Sequence, residues 1–121
     1  MQATIPSNMD TKLIHFLDNT NASREIRKKW VNVARQHDAP IRCVYFTAPP
    51  IICQHNDTVR ALNGPLMNPE KRTMLPAVAF RGYASRFEEP KLSEGFEDII
   101  TVAFQFEGDE AQRAVWSRYW L

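Results

Sequence analysis

The stretch from Leu13 to Trp30, LIHFLDNTNASREIRKKW, constrains the fold more than any other part of the chain. A short apolar run ends on Asp18, the turn Asn19-Thr20-Asn21 follows, and a basic amphipathic helix begins at once. A strand that delivers a carboxylate at its C-terminal end, beside a helix N-terminus, is the binding end of an open α/β sheet. Ligands in such sheets sit outside the carboxyl ends of the strands. The free N–H groups and positive dipole end of the helix suit a phosphate.

The remaining periodicity continues the same alternation. Leu13–Leu17 reads as a strand, and Asn21 or Ser23 can cap the helix that runs from Ala22 to about His37. On that helix Ile26, Trp30, Val33 and Ala34 fall on one side, and Arg24, Arg27, Lys28 and Arg35 largely on the other. Asp38-Ala39-Pro40 ends it. Ile41–Thr47 is a second strand, apolar on both faces as buried parallel strands are. Thr47-Ala48-Pro49 opens a helix whose inner face is Ile52, His55, Val59 and Leu62, and Gly64-Pro65 stops it. Residues 65–76 show no period and read as a mobile, functional loop. Ala77–Phe80 reads as a brief third strand and Arg81–Pro90 as irregular. Ile99–Phe106 is the clearest β signal. Asp109 and Gln112 form a capping pair for a terminal helix, Glu110 to Trp120, with Val115, Trp116, Tyr119 and Trp120 on its apolar face. Residues 1–12 show no periodicity and read as a disordered lead-in. Strand–helix alternation implies an α/β fold with parallel strands and right-handed crossovers.

At 121 residues, the chain has room for one small domain. Its charge is uneven: residues 1–86 carry a net +6 and residues 87–121 a net −5. The basic part could attract a polyanion, or it is an ordinary solvated face. No apolar run is long enough for a membrane span, and MQATIPSNMDTK has neither the basic nor the apolar region of a signal peptide. Cys43 and Cys53 form no CxxC or Cys/His cluster, so they read as reduced thiols in a nuclear or cytoplasmic protein that is not secreted.

Several residues could carry chemistry, each beside a plainer alternative. Asp18 could hold a water on Mg²⁺, or simply form an Asx turn. Arg24, Arg27, Lys28 and Lys29 could track a nucleic-acid backbone, or line a solvated helix. Arg60, near a helix end just before the loop, could clamp a transferring phosphoryl group, or stabilise the helix dipole. Arg81, Tyr83, Arg86 and Phe87 could stack on a base, or pack in the fold. His15 and His37 read as structural, and His55 has no nucleophile beside it.

Taken together, DNTN at 18–21, HNDTVR at 55–60, NPEKR at 68–72 and EGF at 94–96 resemble, in this order and spacing, the polynucleotide kinase 3′-phosphatase family. The resemblance is nearest to the fungal form and covers residues 13–121 as the C-terminal half of its 5′-kinase domain. It implies a partial P-loop kinase-type three-layer α/β fold with parallel strands, lacking the P-loop strand. That strand would lie between Leu13–Leu17 and Ile41–Thr47, so a gap is expected there.

The resemblance also implies a function. ATP with Mg²⁺ would phosphorylate DNA 5′-hydroxyl ends, and a linked phosphatase would remove 3′-phosphates, preparing breaks for ligation in DNA repair. Asp18 and Arg60 would be catalytic, with Asp18 near the metal through water and no direct metal ligand. Thr20, Asn21 and Arg24 would lie near the ATP phosphates, and Arg27, Lys28 and Arg86 near nucleic acid. No GxxxxGK[ST] occurs in the sequence. The P-loop and the catalytic base would belong to a partner, the N-terminal half of the kinase domain, and the chain alone is expected to be inactive. A non-catalytic nucleic-acid or partner-binding remnant is the alternative.

Overall fold

The computed structural model describes residues 2–7 and 13–118, with the backbone alone described at 2–7 and 13. In chain order the elements are β1 (Gln2–Ser7), β2 (Leu13–Asp18), α1 (Arg24–Gln36), β3 (Arg42–Phe46), α2 (Pro50–Leu62), α3 (Gly64–Met67), α4 (Ala77–Arg86), β4 (Asp98–Val102) and α5 (Glu110–Arg118). They fall into two units. The first comprises Met1–Thr47 with Tyr83–Val102, and the second Ala48–Gly82 with Ala103–Leu121.

The first unit is built on a four-stranded sheet of order β2-β1-β3-β4. β3 and β4 pair in parallel, from Arg42 opposite Asp98 to Phe46 opposite Val102. β1 runs antiparallel to β2 on one side and to β3 on the other, so β2, β3 and β4 share one direction. The expected parallel strands are therefore present, but the expected gap is not. Gln2–Ser7, read from sequence as part of a disordered lead-in, occupies the place between them. Unpaired backbone groups inside a sheet are costly, and six residues with no hydrophobic period can still satisfy them. Pairing with β3 stops at Thr4, before Pro6, which has no N–H to give a second neighbour. Residues 8–12 lie outside the described residues.

Helix α1 starts at Ser23, whose Oγ accepts the Ile26 N–H at 3.3 Å. It lies against one face of the sheet, where Val31, Ala34, Ile41, Cys43 and Phe96 form the core and Leu17, Trp30, Tyr45 and Ile99 pack around it. The buried residues of α1 are Arg27, Val31 and Ala34; of the predicted Ile26, Trp30, Val33 and Ala34, Ala34 is in the core and Trp30 packs against it. Val33 is instead exposed. The helical period was legible, but its phase depended on an arginine turning inward. The opposite sheet face leaves Ile14, Phe16, Phe46, Ile100 and Val102 exposed, so β3 is not buried on both faces as its composition implied.

The second unit contains α2, which buries His55, Asp57 and Val59 while Leu62 is exposed. Gly64-Pro65 opens the short α3 where the sequence implied only a stop, because proline fits the first helical turn. Ala77–Phe80 is the first turn of α4 and not a strand. Four apolar residues cannot reveal their period, and the alanines favour helix. The strand predicted over Ile99–Phe106 ends at Val102, and Phe104 and Phe106 turn instead onto Trp116 in α5. The predicted cap of α5 is present: Asp109 Oδ1 accepts the Gln112 N–H at 2.8 Å, and Gln112 Oε1 accepts the Asp109 N–H at 3.0 Å. Tyr119 and Trp120 lie outside the described residues.

Cys43 is buried on β3 and Cys53 is exposed on α2, both as free thiols; partial desolvation pushes the pKa of each upward. Among the described residues no helix is long and apolar enough to cross a membrane.

Candidate functional site

The turn after β2 brings several of the predicted residues together. Asp18 and Thr20 are exposed at the C-terminal end of the strand, and the Thr20 N–H donates to Asn19 Oδ1 at 2.8 Å. Asn21 then adopts φ of 42°, which asparagine tolerates better than most residues, and is buried. Its Oδ1 accepts from Trp30 Nε1 at 3.3 Å, so its side chain braces the turn against α1. Arg24 is exposed at the first turn of the helix, with its N–H donating to Glu88 Oε1 at 3.3 Å.

Arg27 departs most from expectation. Its side chain is 2% exposed and forms a bidentate pair with Glu94, Nε to Oε1 at 2.8 Å and Nη2 to Oε2 at 3.1 Å. Nη1 donates to the carbonyls of Asn21 and Ala22, each at 3.1 Å. An arginine so enclosed fastens the turn to the segment before β4 and is not available to track a phosphate backbone. The next two residues of EGF serve the same contact. Gly95 takes φ of 114°, and a Cβ there would lie 2.8 Å from Val31 Cγ1, while Phe96 is a core residue. Lys28 and Arg86 remain exposed, as a nucleic-acid role requires. Tyr83 and Phe87 pack together, and Phe87 stacks on Tyr45 with ring centroids 5.6 Å apart, so these rings are engaged within the fold.

Arg60 belongs to the second unit and stands in a different environment. It lines an open pocket of about 310 Å³ together with Asn56, Phe104, Phe106, Glu107 and Trp116. Trp116 is the hub of the aromatic wall. Its ring stacks on Phe104 at 5.9 Å, meets Phe106 at 5.4 Å and takes His55 edge-on at 4.8 Å. Its Nε1 donates to Asn56 Oδ1 at 2.7 Å, and His55 Nε2 lies 2.8 Å from its carbonyl oxygen. The His-Asn of HNDTVR thus builds the wall, and Arg60 provides the charge. Arg60 Nη2 donates to Asp57 Oδ1 at 3.0 Å, but its Nε is buried with no hydrogen-bond partner. The side chain as a whole is 36% exposed, so the guanidinium of this pocket residue can still meet an acceptor.

Three contributors were not singled out from the sequence. Glu94 and Asp57 are the buried acids that hold the two arginines, and Trp116 organises the pocket. The motifs EGF and HNDTVR contained the first two, but only the fold shows which arginine each acid meets. Trp116 was legible only as part of an apolar helix face, with nothing to distinguish a pocket wall from core.

Comparison with known proteins places these features. A bifunctional polynucleotide phosphatase/kinase from Schizosaccharomyces pombe is 33% identical over 89 residues, covering 74% of this chain and 20% of that protein. A putative bifunctional polynucleotide phosphatase/kinase of Acanthamoeba polyphaga mimivirus is 24% identical over 106 residues, covering 87% of this chain and 24% of that protein. The chain spans only about a fifth to a quarter of the length of these relatives. The resemblance read from DNTN, HNDTVR, NPEKR and EGF is therefore shown by sequence similarity, over part of each relative. The family profile described as AAA domain matches residues 3–90, from β1 past the end of α4, and on that match the chain belongs to the AAA domain family.

Proposed function

We propose that the chain is the nucleotide-side part of a polynucleotide 5′-hydroxyl kinase that acts on DNA ends in repair, in the nucleus. The observation that carries this reading is Arg60, a cation 36% exposed that lines an aromatic-walled pocket. A planar base suits Phe104, Phe106 and Trp116, and a phosphate oxygen suits the guanidinium. These residues fit ATP, which supplies the γ-phosphoryl group when bound. Arg60 would offset charge developing on that group; the family resemblance alone assigns Arg24 and the exposed turn at Asp18 and Thr20, in the first unit, to the phosphates. Asn21 acts there through the backbone it braces, not through a free side chain. Among the described residues no three His, Cys, Asp or Glu side chains cluster to hold a metal. By the family resemblance Mg²⁺ would be carried largely by phosphates and water, with Asp18 as a water-mediated contact. Lys28 and Arg86 remain candidates for the nucleic-acid backbone, and Arg27 does not.

The test is ATP binding by calorimetry. Arg60→Ala should weaken ATP binding about tenfold, the loss expected of one charge-assisted contact; unchanged affinity would refute the reading. The chain alone should not phosphorylate a 5′-hydroxyl oligonucleotide, because no P-loop is present to position the phosphates. Transfer of labelled phosphate that disappears in Asp18→Ala would show the opposite.

One observation favours the second reading, a non-catalytic binding module. β1 pairs with both β2 and β3 in the place that the resemblance gives to the P-loop strand, and in the opposite direction. A sheet satisfied in this way has no opening for a further strand at that position. Salt-dependent DNA binding without ATP affinity would support the module over the kinase.

A further inference from the structure

Asp57 is a buried carboxylate, 4% exposed, that uses both oxygens on different partners. Oδ1 accepts from Arg60 Nη2 at 3.0 Å, and Oδ2 accepts the backbone N–H of Leu75 at 2.9 Å. Leu75 lies at the end of the segment between α3 and α4. The start of that segment is fastened too, because the side chain of Asn68 accepts the Arg72 N–H at 2.8 Å and donates to the Arg72 carbonyl at 2.7 Å. An ion pair three residues apart on an exposed helix is worth little. Here the acid is enclosed, and the cation is 36% exposed where it lines the pocket. One group therefore fixes both the direction of Arg60 and the position of the 68–76 segment.

We propose that Asp57 is a positioning residue that couples the segment before α4 to Arg60, so that ordering of the segment and phosphate recognition are one event. The proposal rests on the nucleotide reading of the Arg60 pocket for its functional half only. Asparagine is the informative replacement. Its single carbonyl oxygen can face Arg60 or the Leu75 N–H, but its NH₂ must then oppose the other donor, so one of the two contacts is lost.

Two measurements on the 121-residue chain test it: affinity for ATP and for adenosine, and hydrogen exchange at the Leu75 amide. Asp57→Asn and Arg60→Ala should each weaken ATP about tenfold and leave adenosine unchanged, and the double variant should lose no more than either. General damage to the pocket would weaken adenosine as well. Both variants should also speed exchange at Leu75, a readout that needs no nucleotide. Additive losses, an Asp57→Asn protein that binds ATP normally, or unchanged Leu75 exchange would overturn the proposal. If the unmodified chain binds no ATP, the nucleotide reading fails and Leu75 exchange alone decides the coupling. If Asp57→Asn does not fold, Arg60→Ala decides it: faster Leu75 exchange supports the coupling, and unchanged exchange overturns it.

Discussion

Arg27 in the first unit and Arg60 in the second were read from sequence in the same way, as cations for phosphate or nucleic acid. Each meets a buried acid, yet their surroundings differ. Arg27 is enclosed, and Glu94 and two backbone carbonyls take up its Nε and both Nη groups. Arg60 gives one nitrogen to Asp57 and stays 36% exposed, lining an aromatic pocket. A cation enclosed with its donors matched inside the chain is structure; one left partly exposed on a pocket can still take a ligand. Motif residues therefore divide by enclosure and hydrogen bonding and not by charge.

The largest effect should come from Arg27→Ala. It leaves Glu94 buried without its cation, a loss of about 3–5 kcal/mol, visible as a large fall in the urea midpoint. Replacing Arg27 with Met and Glu94 with Leu together should lose much less, since both charges then disappear. A small loss from Arg27→Ala alone would erase the contrast between the two arginines.

Next in size is Gly95→Ala, which combines a left-handed backbone with a Cβ pressed on Val31. We expect a loss of about 1–3 kcal/mol, measured by the same denaturation. Loss near zero would mean that the Glu94–Phe96 segment can shift without disturbing α1.

Arg60→Ala should cost about 1–3 kcal/mol, less than Arg27→Ala because Asp57 keeps the Leu75 N–H and the lost cation was partly exposed, while ATP binding weakens. A stability loss equal to that of Arg27→Ala would make Arg60 a structural residue after all.

The smallest effect concerns pH. Partial desolvation raises the Cys43 thiol above its ordinary value of 9.0, so the unfolded chain ionises first. Its contribution to stability is full below that value and declines as pH rises above it, towards the folded-state pKa. Denaturation from pH 7 to 10 should show this decline, reduced in Cys43→Ala. At fixed pH, exposed Cys53 should react with iodoacetamide before Cys43, because access and not ionisation separates them.

Much of the fold was legible because it rests on local chemistry. Ser23 and the Asp109–Gln112 pair cap helices through bonds to residues three positions away. β2, α1 and β3 show their periods within single segments. The failures trace to partners outside the segment or to a segment too short to read. Gln2–Ser7 has no pattern of its own and becomes a strand through its neighbours β2 and β3. Ala77–Phe80 is too short to show a period, and the phase of α1 turns on Arg27 meeting an acid 67 positions away.

By itself, the sequence determined the strand–helix alternation, the caps, the resemblance through DNTN, HNDTVR, NPEKR and EGF, and the choice of Asp18 and Arg60 as candidates. Each depends on residue types at short or fixed spacing, which a single chain displays directly. Only the tertiary structure decided which strand lies between β2 and β3, which arginine is enclosed, and that Asp57 and Trp116 frame Arg60. Those outcomes depend on long-range partners for buried polar groups. Burial makes an unmatched donor or acceptor expensive, and the partner that relieves it is named by no local pattern.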